Sequence, residues 1–135
     1  MTWDNAYRKT TRDIEISVIP VYQADRSQPE NNLFIWSYHI RIENHGEETV
    51  TLRQRCWHIT DAFGHTETVR GAGVVGEQPR LSPGDHFEYS SGTPLSTPSG
   101  IMVGTYDLEK ENGGWVTIDV PAFSLDSPHE QAQLN

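Results

Sequence analysis

Leu33-Phe-Ile-Trp-Ser-Tyr-His-Ile-Arg-Ile-Glu-Asn44 is the stretch that decides the fold. Phe34, Trp36, Tyr38, Ile40 and Ile42 fall on one side of an extended chain; Ser37, His39, Arg41 and Glu43 fall on the other. A period of two puts one face in a core and the other in water, which is the pattern of a half-buried β-strand. The aromatic and β-branched residues that dominate it suit a pleated surface.

The same alternation recurs outward in both directions. Upstream, Ile14, Ile16 and Val18 alternate with Asp13, Glu15 and Ser17. Pro20 lacks a ladder donor, so that strand is expected at an edge or bulged there. Asp25 to Asn32 is a polar turn, and Asn44-His-Gly-Glu47 reads as a hairpin turn. From Thr49 to Ala62 the apolar residues change phase: Val50 and Leu52 are even, Trp57 and Ile59 odd. A phase change inside one run predicts a bulge near Arg53 to Cys56. Further strands are expected over Glu67 to Val75, around Phe87 and Tyr89, over Ile101 to Leu108, and around Val116, Ile118 and Val120. Ser90 to Gly100, rich in Ser, Thr, Pro and Gly, is expected to be loop. About seven short antiparallel strands with regular turn signals predict an all-β sandwich of the immunoglobulin/fibronectin type III kind, with a small barrel as the alternative. The expected organisation is a flexible lead-in over 1–12, one domain over 13–125 and a polar tail over 126–135.

Composition narrows the function classes. The 135 residues suffice for one domain with a core of its own. A formal charge of −9, from 19 acidic and 10 basic residues, opposes nucleic acid as the main partner. Met1 to Asp13 is polar with no apolar h-region, and no segment approaches the roughly 20 apolar residues of a membrane span, so the expectation is a cytoplasmic protein without membrane insertion. The single cysteine, Cys56, reads first as a small buried hydrophobe. His58 would share its strand face, so a base-assisted thiol is the second reading.

The alternation breaks down at Val69-Arg-Gly-Ala-Gly-Val-Val-Gly-Glu-Gln-Pro79. Gly71, Gly73 and Gly76 have the G-x-G-x-x-G spacing, which binds phosphate when it joins a strand to a helix. Here Pro79 and then Pro83-Gly84 stop any helix early, and Ser90 to Gly100 supplies no acidic ribose partner. The stretch therefore reads as a shaped loop between strands. An anion-holding concavity of loop amides is the alternative, with Arg70 and Arg80 adding charge. Around the Asp61-Ala-Phe-Gly64 turn, His58, Asp61 and His65 lie close in sequence and form a candidate divalent-ion set for Mg²⁺ or Co²⁺, beside the plainer reading of solvated turn residues. No catalytic set is nominated.

Longer stretches carry a family resemblance. Trp57-His-Ile-Thr-Asp61, the glycine stretch Val69 to Pro79, Leu81-Ser-Pro-Gly84, Phe87-Glu-Tyr-Ser-Ser-Gly92, Thr97-Pro98, Gly100 and Met102-Val-Gly-Thr-Tyr106 resemble the ApaG family, in order, from about Thr11 to Ser127. The size fits its stand-alone bacterial form. The resemblance implies a fibronectin type III/immunoglobulin-like sandwich and an association with cobalt resistance and magnesium efflux. It also implies a pyrophosphate-type role for Gly71, Gly73 and Gly76. A chain with no span cannot itself carry ions across a bilayer, so the expected role is indirect: a non-catalytic binding or regulatory module. The alternative is a phosphate, pyrophosphate or nucleotide binder with weak hydrolase activity. An exposed sheet edge suggests a protein partner or a homodimer.

Overall fold

A computed structural model describes residues 2–130. It contains nine strands: β1 (Tyr7–Thr11), β2 (Ile14–Tyr22), β3 (Phe34–Asn44), β4 (Val50–Asp61), β5 (Thr66–Ala72), β6 (Arg80–Leu81), β7 (His86–Leu95), β8 (Gly100–Lys110) and β9 (Trp115–Leu125). A 3₁₀ turn, Pro29–Asn31, sits before β3. One antiparallel sheet runs β1-β2-β3-β7; the other runs β5-β4-β8-β9, with β6 also on β4. The two sheets form an immunoglobulin/fibronectin type III-like sandwich rather than a closed barrel. β9 packs against β1 and β2 on one side, where Lys9 reaches Asp119 at 3.1 Å. On the other side β5 and β7 each end their sheet.

The core follows from the alternation. Every second residue of β3, Phe34, Trp36, Tyr38, Ile40 and Ile42, is buried. Trp57 stands at its centre, with ring centroids 5.6 Å from Tyr38, 6.1 Å from Tyr106 and 6.2 Å from Phe123. Full burial of each large apolar side chain contributes roughly 1.5–3 kcal/mol, so this aromatic group is a main source of stability.

The expected bulge in β4 is present. Leu52 faces Leu108 and Gln54 faces Asp107, which leaves Arg53 as the extra residue. It re-phases the strand, so Val50 and Leu52 point inward before it and Trp57 and Ile59 after it. Pro20 lies past the end of β1, whose pairing stops at Val18, so β2 has one neighbour there. Pro121 sits at a second irregularity, where β9 carries two residues opposite Val103.

Among the described residues the strand count is nine rather than seven. Tyr7–Thr11, within the stretch expected as a lead-in, is a strand paired with β2. Its side chains are mostly exposed, so no apolar alternation marked it. β6 is too short to show a period. Ser90–Leu95, expected as loop, continues β7 because its backbone pairs with β3 as far as Phe34↔Leu95. Within the expected tail, the Trp36 indole N–H donates to the Asp126 carbonyl at 2.7 Å, and the Ser127 hydroxyl donates to the Pro98 carbonyl. Residues 131–135 of that tail lie outside the described residues.

Candidate functional site

The glycine stretch connects β5 to β6, and both strands pair with β4 on either side of its bulge. The connection is closed by its own backbone. The Gly73 N–H donates to the Arg53 carbonyl at 2.8 Å. Val74 and Glu77 exchange two N–H···O bonds, 2.8 and 2.9 Å, around a two-residue turn of Val75 and Gly76. Both turn residues have positive φ, 44° and 80°, which is the type I′ signature. Val74 is buried beneath the turn. Gly73 has φ +61°, and a Cβ there would stand 2.2 Å from the Glu77 carbonyl oxygen. No helix follows, so these glycines shape a backbone turn and present no helix dipole.

Arg55 is the side chain the stretch is built around. It lies opposite Gly71, on the strand face that turns toward the core. A Cβ on Gly71 would meet its guanidinium at 2.7 Å. Arg55 Nη1 donates to the carbonyls of Ala72 (3.0 Å) and Gly73 (2.9 Å). Arg70 lies opposite Cys56 with its side chain exposed. Together Gln54, Arg55, Cys56, Arg70, Gly71 and Asp107 line a shallow depression of about 360 Å³. Arg80 is elsewhere: it lies opposite Thr51, and Nη2 meets both carboxylate oxygens of Glu111 at 2.8 and 2.9 Å. The structure thus groups Gly71 with Arg70 and Arg55, and separates Arg80 from them by the bulge.

On its other side Arg55 lies directly opposite Tyr106 on β8, a member of a tyrosine group. The hydroxyls of Tyr89 on β7 and Tyr106 on β8 are 2.5 Å apart and bridge the two sheets. Burial pushes both hydroxyls up from the usual tyrosine range, and for Tyr89 the Tyr106 hydroxyl offsets part of that. Burial likewise raises Tyr38, opposed by the Ser91 hydroxyl and the Arg55 charge.

Of the candidate ion set, Asp61 and His65 come together and His58 does not join them. His65 Nδ1 is 3.4 Å from Asp61 Oδ2 across the turn. The Asp61 carboxylate also accepts the N–H groups of Phe63 (2.9 Å) and His65 (3.0 Å). Desolvation pushes its acidity toward higher pH, but those donors and the His65 imidazole outweigh it and hold the carboxyl below the usual range. His58 is up-strand, with Nδ1 3.2 Å from Thr68 Oγ1 and Nε2 3.7 Å from Cys56 Sγ. Cys56 is half-buried on the outer face of the sheet, so it does share a face with His58 and is not a core residue.

Comparison with known proteins places this architecture. The family model described as the ApaG domain matches residues 24–110. The chain belongs to the ApaG family. Protein ApaG of Paramagnetospirillum magneticum is 60% identical over 129 residues, covering 96% of this chain and 99% of that protein. Protein ApaG of Parvibaculum lavamentivorans is 56% identical over the same span. Among solved structures, a putative ApaA protein from Bordetella pertussis superposes with TM-score 0.83 at 42% identity, covering 86% of this chain and 94% of that one. The C-terminal domain of wzt, at 13% identity and TM-score 0.54, shares the fold alone. In this ApaG chain, sequence reasoning missed Arg55. Its only local signal was a cation in an otherwise strand-like run, and its inward orientation depends on the bulge at Arg53.

Proposed function

We propose that this ApaG chain is a non-catalytic binding module that captures an extended segment of a protein partner along the free edges of β5 and β7. The observation that carries this reading is topological. Each of these strands ends its sheet, both lie on the side away from β1 and β9, and their outer backbone groups can accept a further strand. β1 and β9 also end their sheets, but they pack on one another. No helix among the described residues is long and apolar enough to cross a membrane. The efflux association implied by the resemblance would then be indirect, through a bound transporter or regulator. Hydrogen exchange on the β5 and β7 amides, with and without a partner recovered by native pull-down, tests the reading. Added protection on those strands is expected. A partner that leaves both edges unprotected, or a monodisperse monomer that repeatedly recovers none, would sink it.

A second reading is favoured by one observation: Arg55 and Arg70 border the depression beside Gly71, and Arg70 makes no ion pair among the described residues. On this reading the depression takes a phosphate or pyrophosphate, with at most weak hydrolysis. Calorimetry with pyrophosphate, with and without Mg²⁺, should then show heat that Arg70→Ala removes. Absence of heat at millimolar ligand excludes it.

A further inference from the structure

We propose that Glu15, Glu43 and His45 form a binding site for a divalent transition-metal ion of the zinc type. The site lies on the outer face of the β1-β2-β3-β7 sheet, apart from the glycine stretch and from the Asp61–His65 turn, and does not rest on the edge-binding reading. Glu15 on β2 and Glu43 on β3 are directly opposite one another. His45 follows Glu43 by two residues, and its backbone N–H is anchored to the Asp13 carbonyl at 2.9 Å. Its Nε2 is 3.2 Å from Glu15 Oε1 and 3.3 Å from Glu43 Oε2. The donor atoms of all three residues lie within 4.8 Å of one another.

Three physical points favour an ion. Like charges directly opposite on paired strands destabilise a sheet, so two facing carboxylates call for a cation between them. Arg41 meets Glu43 from one side, Nε to Oε1 at 3.0 Å, and leaves Glu15 to His45 alone. The two His45–carboxylate spacings are also close to those of a tetrahedral site. Two donors held about 2.0–2.2 Å from one tetrahedral ion stand roughly 3.3–3.6 Å apart, and imidazole with carboxylate is a zinc-type donor set. His86 on β7 is directly opposite Glu43 on its other side, with Nε2 turned to Glu88 Oε2 at 3.5 Å and outside the donor group. Glu15, Glu43 and His86 thus form one row across three strands, with His45 above it.

Calorimetry of the tag-free chain with Zn²⁺ tests the assignment. One ion per chain is expected, with Mg²⁺ binding far more weakly. His45→Gln and Glu15→Gln should each weaken Zn²⁺ by at least about tenfold, and His65→Gln should leave it unchanged. Because a lost ion pair could loosen the sheet, amide NMR shifts of the unaltered protein give an independent readout. On adding Zn²⁺ they should centre on residues 13–17 and 41–47. Absence of binding would mean the group is a histidine–carboxylate ion pair only. Binding that survives both substitutions, or shifts centred on the Asp61 turn, would equally overturn the proposal.

Discussion

Gly73 and its neighbours show how single residues set the loop. At Gly73 a Cβ would collide with the Glu77 backbone at 2.2 Å, whereas at Gly76 nothing lies within 4 Å despite φ +80°. Gly73→Ala should therefore cost more than Gly76→Ala, which should cost about 1 kcal/mol from backbone conformation alone; urea unfolding of the two variants checks the order. Val75 carries φ 44° on a β-branched side chain. Val75→Asn creates the Asn-Gly pair preferred in type I′ turns and should stabilise by about 1 kcal/mol in the same measurement. Asp61 gives a pH prediction. Its carboxyl is held low in the folded state, so its contribution is present above the unfolded carboxylate range and is lost as pH falls through the folded value. The gap in urea midpoint between the unaltered chain and Asp61→Asn should be open at about pH 7 and close toward about pH 3. The glycine positions themselves were readable from sequence. The β4 residues that close on them, Arg53 and Arg55, were not, because those contacts cross between segments.

Among the elements, β4 matters most, and its bulge ties sheet and loop together. Arg53 has no opposite residue on β8, but its carbonyl accepts the Gly73 N–H and its side chain bonds Gln78 and Glu109. Deleting Arg53 would restore unbroken alternation from Val50 to Ile59 and should leave the β4–β8 pairing in place. It should also detach the loop, so that amides of residues 73–78 exchange with solvent at least about tenfold faster while β8 amides stay protected. Loss of protection throughout the sheet would show that the bulge is needed for register itself. The bulge was legible because a period of two admits no phase change without an extra residue. β1 was not: an exposed edge strand buries little, so its side chains carry no period, and it is a strand only because β2 offers it a backbone ladder. The extension of β7 through Ser90–Leu95 has the same cause, since pairing with β3 outweighs weak local preference.

At the scale of the whole molecule, the Tyr89–Tyr106 pair is a polar bond between the two sheets. Tyr106→Phe leaves Tyr89 without its partner and should cost about 1–2 kcal/mol. The double change Tyr89→Phe/Tyr106→Phe should cost less than the sum of the singles, as a double-mutant cycle in urea would show. Both hydroxyls are raised in the folded state, so their contribution is fully present below the unfolded tyrosine value. It is lost as pH rises through the folded values. Stability should fall above about pH 10, less steeply in the double variant. The sequence alone settled the all-β class: period-two alternation, punctuated by turn residues, puts the apolar faces of these strands into one core, with sandwich and small barrel both open. Its longer stretches also carried the family. The tertiary structure alone decided which residues meet. Strand order put free edges at β5 and β7, register set Glu15 against Glu43 and Arg55 against Gly71, and distance kept His58 from Asp61 and His65. Periodicity reports which face a side chain takes, and only pairing between distant strands reports its neighbours.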